Sequence, residues 1–154
     1  MIAAGTMPPR VNHVRVGEAI LLGRDTVARE PWPGTVQDAF ELRGEVVELQ
    51  RKPSAPEGPR TADAFGRRRV FEDRGWRERA LLDIGREDVD VEGLVPLELG
   101  VEVLGASSDY LVVDVTDAGS ALRVGDELTF ALSYGALLAA MDSEYVEKRY
   151  EGEA

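Results

Sequence analysis

The chain has 154 residues, enough for one ordinary domain around a single core. Apolar residues make up 44% and charged residues 31%, which is a globular composition, and the net charge of −11 excludes the basic stripe that a nucleic-acid surface needs. With no cysteine and a lone histidine, His13, disulfides and thiolate metal sites are excluded, and no apolar run reaches the ~18 residues of a membrane span. The opening "MIAAGTMPPR" lacks the basic-then-apolar layout of a signal peptide, so cytoplasmic residence is the expectation.

In chain order, the first candidate element is a strand over 14–22 within "VNHVRVGEAILLG", with Arg15 and Glu18 bracketing Gly17. The loop "REPWPG" (Arg29–Gly34) follows, and its prolines and glycine mark the best boundary, giving units 1–28 and 29–154. Phe40 to Leu49 is rich in β-formers and ends at "KPSAPEGP", whose prolines cannot stay in a ladder. The basic run Arg67-Arg68-Arg69 is followed by Glu72 and Asp73 and reads as a solvated hairpin.

Short strands are predicted at Ala80–Ile84, Val101–Leu104 and Tyr110–Val115, the last apolar on both faces until Asp114. The clearest alternation is "DELTFAL", with Leu128, Phe130 and Leu132 on one face, introduced by a turn at Val124-Gly125-Asp126. One helix is predicted in "SYGALLAAMDS", with Ser133 as N-cap and Leu137, Leu138 and Met141 as core packing. Tyr134 sits in its first turn, where free N–H groups favour anions. The fold class is mainly β with one short helix.

Taken singly, the polar candidates are bland. Arg15 beside Gly17 reads as a solvated arginine next to a bulge glycine. "GASSD" (Gly105–Asp109) reads as a turn bonded to its own backbone, and "GREDVD" (Gly85–Asp90) as a charged loop. No phosphate-binding glycine loop and no nucleophile elbow is present.

Taken in order, "NHVRVGEAILLGRDT", "QDAFELRGEVVELQRKPSAPEG", "DAFG", "ALLDIGREDVD", "LGASSDYLVVDVTD" and "VGDELTFALSYGALLAAMDSEYV" form a recognisable series. From about Pro8 to Tyr150 the chain resembles the C-terminal part of the pyridoxal phosphate (PLP)-dependent alanine racemases, in their alanine/ornithine branch. The resemblance implies a C-terminal β-barrel-like domain, preceded by the last strand of a truncated (β/α)8 barrel that holds PLP. It implies a small amino-acid substrate and head-to-tail homodimers, each barrel mouth being completed by the partner's β domain.

The family's R-x-G pattern falls on Arg15 and Gly17, so the resemblance implies Arg15 facing the pyridine nitrogen of PLP. Gly17 and the N–H of Glu18 would then approach its phosphate, as would the hydroxyl of Tyr134. Ser108 and Asp109 occupy the family's substrate-carboxylate loop, and Arg86 and Asp88 fall where the family has glycine-tyrosine-alanine-aspartate. Two departures concern catalysis. The family's second base, a tyrosine, falls on Phe65, which leaves Asp63 as the nearest titratable candidate. Neither Lys52 nor Lys148 has the setting of the family's Schiff-base lysine, so this chain alone is expected to bind no PLP covalently. The competing reading is a non-catalytic β module that dimerises with, or caps, a separate barrel chain.

Overall fold

The computed structural model describes residues 5–55 and 72–152. Asp63, Phe65 and the run Arg67–Arg69 lie outside the described residues. The chain divides into two compact units, Met1–Ala39 and Phe40–Ala154.

In the first unit, residues 14–22 do not form the expected strand. Glu18–Leu21 instead make a single helical turn, α1, closed by bonds from Leu21 N–H to the Gly17 carbonyl (3.1 Å) and from Leu22 N–H to the Glu18 carbonyl (2.8 Å). The reason is hydrogen bonding: a strand needs a neighbour to satisfy its backbone, whereas a helical turn satisfies its own. Val11, Val14, Val16, Ile20 and Leu21 remain exposed, and Leu22 is buried. The loop "REPWPG" folds back onto the chain before it. Trp32 N–H, the Thr35 hydroxyl and the Gln37 amide all donate to the Gly23 carbonyl, at 2.7, 3.0 and 3.0 Å. Asp25 accepts from the Val27 and Ala28 amides, and these two bonds hold its carboxyl below the usual range.

The second unit is an antiparallel sheet of six strands: β1 (Glu41–Pro53), β2 (Trp76–Leu82), β3 (Leu94–Pro96), β4 (Glu102–Ala106), β5 (Leu111–Asp114) and β6 (Glu127–Leu132). The spatial order is β3-β6-β1-β2-β5-β4. The two edge strands, β3 and β4, approach each other, so the sheet curls into a nearly closed barrel. The curl has a covalent origin in β1, whose first half pairs with β6 and whose second half pairs with β2, the β2 ladder carrying an irregularity between Val46 and Glu48.

Alternation decides the core. Leu42 and Val46 of β1, Ala80 and Leu82 of β2, Leu111 and Val113 of β5, and Leu128, Phe130 and Leu132 of β6 all point inward. The expected strands therefore form, with shifted ends. β1 runs on to Pro53, where the proline closes the ladder. β2 starts earlier than expected, at Trp76, with Arg77 of its outer face paired to acids. Arg77 donates from Nε to the Asp114 carboxylate (2.9 Å) and from Nη2 to Asp117.

Helix α2 (Tyr134–Asp142) begins as expected, the Ser133 hydroxyl accepting from Ala136 N–H at 3.1 Å. Its buried face differs from the expectation: Ala136, Leu137 and Ala140 are buried, while Leu138 and Met141 are about half exposed. Positions 136, 137 and 140 form one stripe and 138 and 141 another, and the small stripe is the one that fits closely against the 3-10 turn Val91–Gly93. Among the described residues, no helix is long and apolar enough to cross a membrane.

Asp114 is buried. Burial opposes its ionisation, but the Arg77 guanidinium and the amide and hydroxyl of Thr116 outweigh this and hold its carboxyl below the usual range. A depressed folded-state pKa contributes stability that is present above the unfolded value of about 3.9 and is lost as pH falls through the folded value. Asp114→Asn should therefore flatten the pH dependence of urea unfolding below about pH 4. Phe130 is fully buried at the barrel centre. Phe130→Ala should cost about 3–5 kcal/mol in the same urea titration.

Candidate functional site

Three segments of the second unit meet at one surface: the loop after β2 (Asp83–Asp90), the turn between β4 and β5 (Ser107–Tyr110) and the chain leaving α2 (Ser143–Tyr145). Asp83, Glu87, Asp88, Asp109, Tyr110 and Tyr145 line a shallow depression of about 260 Å³ between them.

The first two segments are joined through the backbone. Arg86 N–H donates to the Ser107 carbonyl (3.0 Å) and Glu87 N–H to the Ser108 carbonyl (3.1 Å). The approach is close enough to demand glycine at 85, where a Cβ would lie 1.9 Å from the Ser108 carbonyl oxygen. The turn is held from within. The Ser107 hydroxyl accepts from Tyr110 N–H at 3.0 Å, and the Ser108 hydroxyl donates to the Asp109 carboxylate.

The charged side chains of "GRED" meet different fates. Arg86 turns away along the barrel wall, its guanidinium engaging both oxygens of Glu92 (3.1 and 3.0 Å) and its Nε donating to the Ala106 carbonyl (3.3 Å). Asp88 is buried, one oxygen accepting from Gly85 N–H (2.9 Å) and the other from the Ser143 hydroxyl (3.1 Å). Glu87 is exposed beside the depression, as is Asp109. Asp83 also lines the depression, one of its oxygens accepting Glu45 N–H at 2.7 Å. Of the carboxylates along the depression, Asp88 is buried and bonded within the protein, while Asp83, Glu87 and Asp109 are exposed; among the described residues no cation lines it, so their field favours a positively charged group. Among the described residues, no cluster suits a metal ion.

Arg86, Asp88, Ser108 and Asp109, singled out from the sequence as substrate-side residues, are thus brought together. Tyr134 lies in the same unit, half-buried at the start of α2, and its hydroxyl bonds to no other described residue. Arg15, Gly17 and Glu18 belong to the first unit, where Arg15 is exposed and the Glu18 carboxylate pairs with Arg29. Asp63 is outside the described residues. Sequence reasoning missed Glu87, Asp83 and Tyr145. Glu87 follows Arg86 and Asp83 lies three residues before it, both within the quoted segment "ALLDIGREDVD", whereas Tyr145 is distant in sequence and reaches the depression only through the fold.

A second depression of similar volume, lined by Leu99, Val101 and Leu122 among others, has one carboxylate, Glu98. That carboxylate accepts from Thr129 N–H at 3.0 Å and is used in holding the sheet.

No family model matches the chain. It is 47% identical over 148 residues to ornithine racemase of Acetoanaerobium sticklandii, a match covering 96% of this chain and 42% of that protein. It is 48% identical over 147 residues to lysine racemase of Thermotoga maritima, covering 96% of this chain and 41% of that protein. The chain thus spans about two fifths of the length of these relatives. Among solved structures, alanine racemase from Acinetobacter baumannii matches 76% of this chain and 32% of its own, with 15% identity and a TM-score of 0.45. The resemblance read from the six sequence segments is therefore matched by two racemases at close to half identity.

The close approach at position 85 is directly testable. Gly85→Ala should push the loop off Ser107 and Ser108 at a cost of about 1–3 kcal/mol. Amide chemical shifts of Arg86, Glu87 and Asp109 should move while those of the Phe130 core stay in place.

Proposed function

We propose that this chain forms the C-terminal β part of a PLP-dependent amino-acid racemase whose substrates carry a second amino group, as ornithine and lysine do. The observation that carries the reading is the near-half identity to an ornithine racemase and a lysine racemase over 96% of the chain. The acidic depression supports the substrate class. Glu87 and Asp109 are exposed carboxylates beside a surface that, among the described residues, no cation lines, suited to a distal ammonium.

The donor groups available fit a phosphorylated pyridine. Tyr134 offers a phenol hydroxyl free of other described residues, and Arg15 offers an exposed guanidinium. In this reading the Tyr134 hydroxyl is the second unit's phosphate donor, and Arg15, the Gly17 backbone and the Glu18 amide are the first unit's cofactor-side groups, Arg15 toward the ring nitrogen. The bound cofactor supplies an electron sink for the α-carbanion left when the substrate loses its α-proton. Arg15, permanently charged, would keep the ring nitrogen from taking a proton and so would restrain that sink.

Racemisation needs proton carriers on both faces of the α-carbon. Asp63 is the titratable side chain nearest the position where Phe65 replaces the family's tyrosine, and it is our candidate for one of them. The lysine is assigned to the barrel portion. Lys52 is bonded to Glu48 at 2.9 Å, and Lys148 donates to the Ser143 carbonyl, so both ammonium groups here have other employment. The partner is a second copy, with the acidic depression turned toward the neighbouring subunit's substrate.

The test is a D-amino-acid assay of the PLP-loaded protein that carries this chain, run with L-ornithine, L-lysine and L-alanine. Ornithine and lysine should be racemised in preference to alanine. Turnover of alanine alone, or of none of the three, would overturn the reading. Tyr134→Phe should weaken PLP binding about tenfold, the cost of one hydrogen bond to a charged group, measured by cofactor titration. Glu87→Gln with Asp109→Asn should raise the KM for ornithine and leave that for alanine in place.

A further inference from the structure

Asp88 lines the depression but is buried. Both of its carboxylate oxygens are already occupied, one by Gly85 N–H and one by the Ser143 hydroxyl, and only 7% of the residue is exposed. Its two partners sit on different elements: Gly85 opens the loop that presents Glu87, and Ser143 is the C-cap of α2. The Ser143 hydroxyl also accepts from Tyr145 N–H (3.2 Å), so the residue that brings Tyr145 to the depression is bonded to the same acid.

The far end of this segment is fastened to the same helix. Ser133 N–H donates to the Gly93 carbonyl (2.8 Å), and a Cβ on Gly93 would lie 2.0 Å from the Ser133 hydroxyl oxygen. Residues 85–93 are thus strapped to both ends of α2, by Asp88 at its C-terminus and by Gly93 at its N-terminus beside Tyr134.

We propose that Asp88 is a positioning residue. Its buried carboxylate locks the loop Gly85–Asp90 to α2 and thereby holds Glu87 and Asp109 at the rim of the depression, without touching substrate itself. A neutral side chain at 88 that still accepts one bond and donates the other can substitute for it, because the Ser143 hydroxyl can turn from donor to acceptor. A side chain with no polar atoms cannot. The consequence for activity rests on the reading of the depression as substrate-facing; the lock itself does not.

The experiment compares Asp88→Ala, Asp88→Asn and Ser143→Ala in the full chain. Amide hydrogen exchange at Gly85, Arg86 and Glu87 should speed up by about tenfold or more in Asp88→Ala, as expected for loss of buried hydrogen bonds. Exchange at Leu42 and Phe130 should change far less, Ser143→Ala should give a smaller version of the same local pattern, and Asp88→Asn should restore slow exchange. Unchanged loop exchange in Asp88→Ala, or equal acceleration in loop and core, overturns the lock.

With the PLP-loaded protein, Asp88→Ala should raise the KM for ornithine about tenfold with kcat little altered, and Asp88→Asn should return it to near the wild-type value. A KM unchanged in Asp88→Ala, or one not rescued by Asp88→Asn, overturns the positioning role. If the wild-type protein racemises neither ornithine nor lysine, the functional reading fails, and the exchange pattern decides the lock independently.

Discussion

Everything in the larger unit depends on β1 pairing on both of its edges. Its thirteen residues pair with β6 along the first half and with β2 along the second, with an irregularity at Val46–Glu48 near the start of the β2 ladder. A bulge adds twist and bends the strand, which is how one continuous segment carries the sheet around the core instead of leaving it flat. Val46, immediately before the bulge, is fully buried, and so are Leu82, which pairs with it, and Phe130 and Leu128 of β6. The curl then brings the loop after β2 and the turn before β5 to the same surface, since β2 and β5 are adjacent strands whose Leu82 and Leu111 face one another in register.

An acidic chain has to place its carboxylates somewhere, and this one uses many of them as acceptors for main-chain amides. Asp83 takes the Glu45 amide, Glu98 that of Thr129, Asp114 that of Thr116, Asp126 that of Arg123 and Asp88 that of Gly85. Each such bond gives a main-chain N–H, in a loop or in a strand, an acceptor from a side chain. What remains is an uneven surface, where Glu87 and Asp109 stand exposed beside a depression that also borders on Asp83 and Asp88. Arg77 and Arg86 are both drawn to carboxylates on the barrel wall.

The sequence made the sheet legible where a period of two carried it. "DELTFAL" forms β6 with Leu128, Phe130 and Leu132 inward, and "YLVVDV" forms β5 between two neighbours. It was silent about β3, because three residues ending in Pro96 make no period. In α2, Ala136 and Ala140 hold the buried stripe, and alanine carries little hydrophobic signal beside Leu138 and Met141. Residues 14–22 had the composition of a strand but make a helical turn, because a strand's stability resides in partners that composition does not encode. Arg86, Asp88, Ser108 and Asp109, picked out by the resemblance, do come together, but nothing in the sequence distinguished an acid that faces solvent from one that faces the backbone.

That distinction is clearest in the run Arg86-Glu87-Asp88. Three consecutive charged residues look alike in a sequence, and a charged loop is usually a solvated one. Here the backbone of Arg86 and Glu87 is pinned to Ser107 and Ser108, which fixes the direction of each side chain in turn. Arg86 lies against the barrel wall with Glu92, Glu87 points to solvent, and Asp88 is carried under the loop to Gly85 and Ser143. A carboxylate is stable in that buried position only because two donors are aimed at it, and those donors exist only if loop and helix stay together. The middle residue is therefore exposed because its neighbours are not. The exposed carboxylate at Glu87 depends on two flanking side chains that are held against the protein.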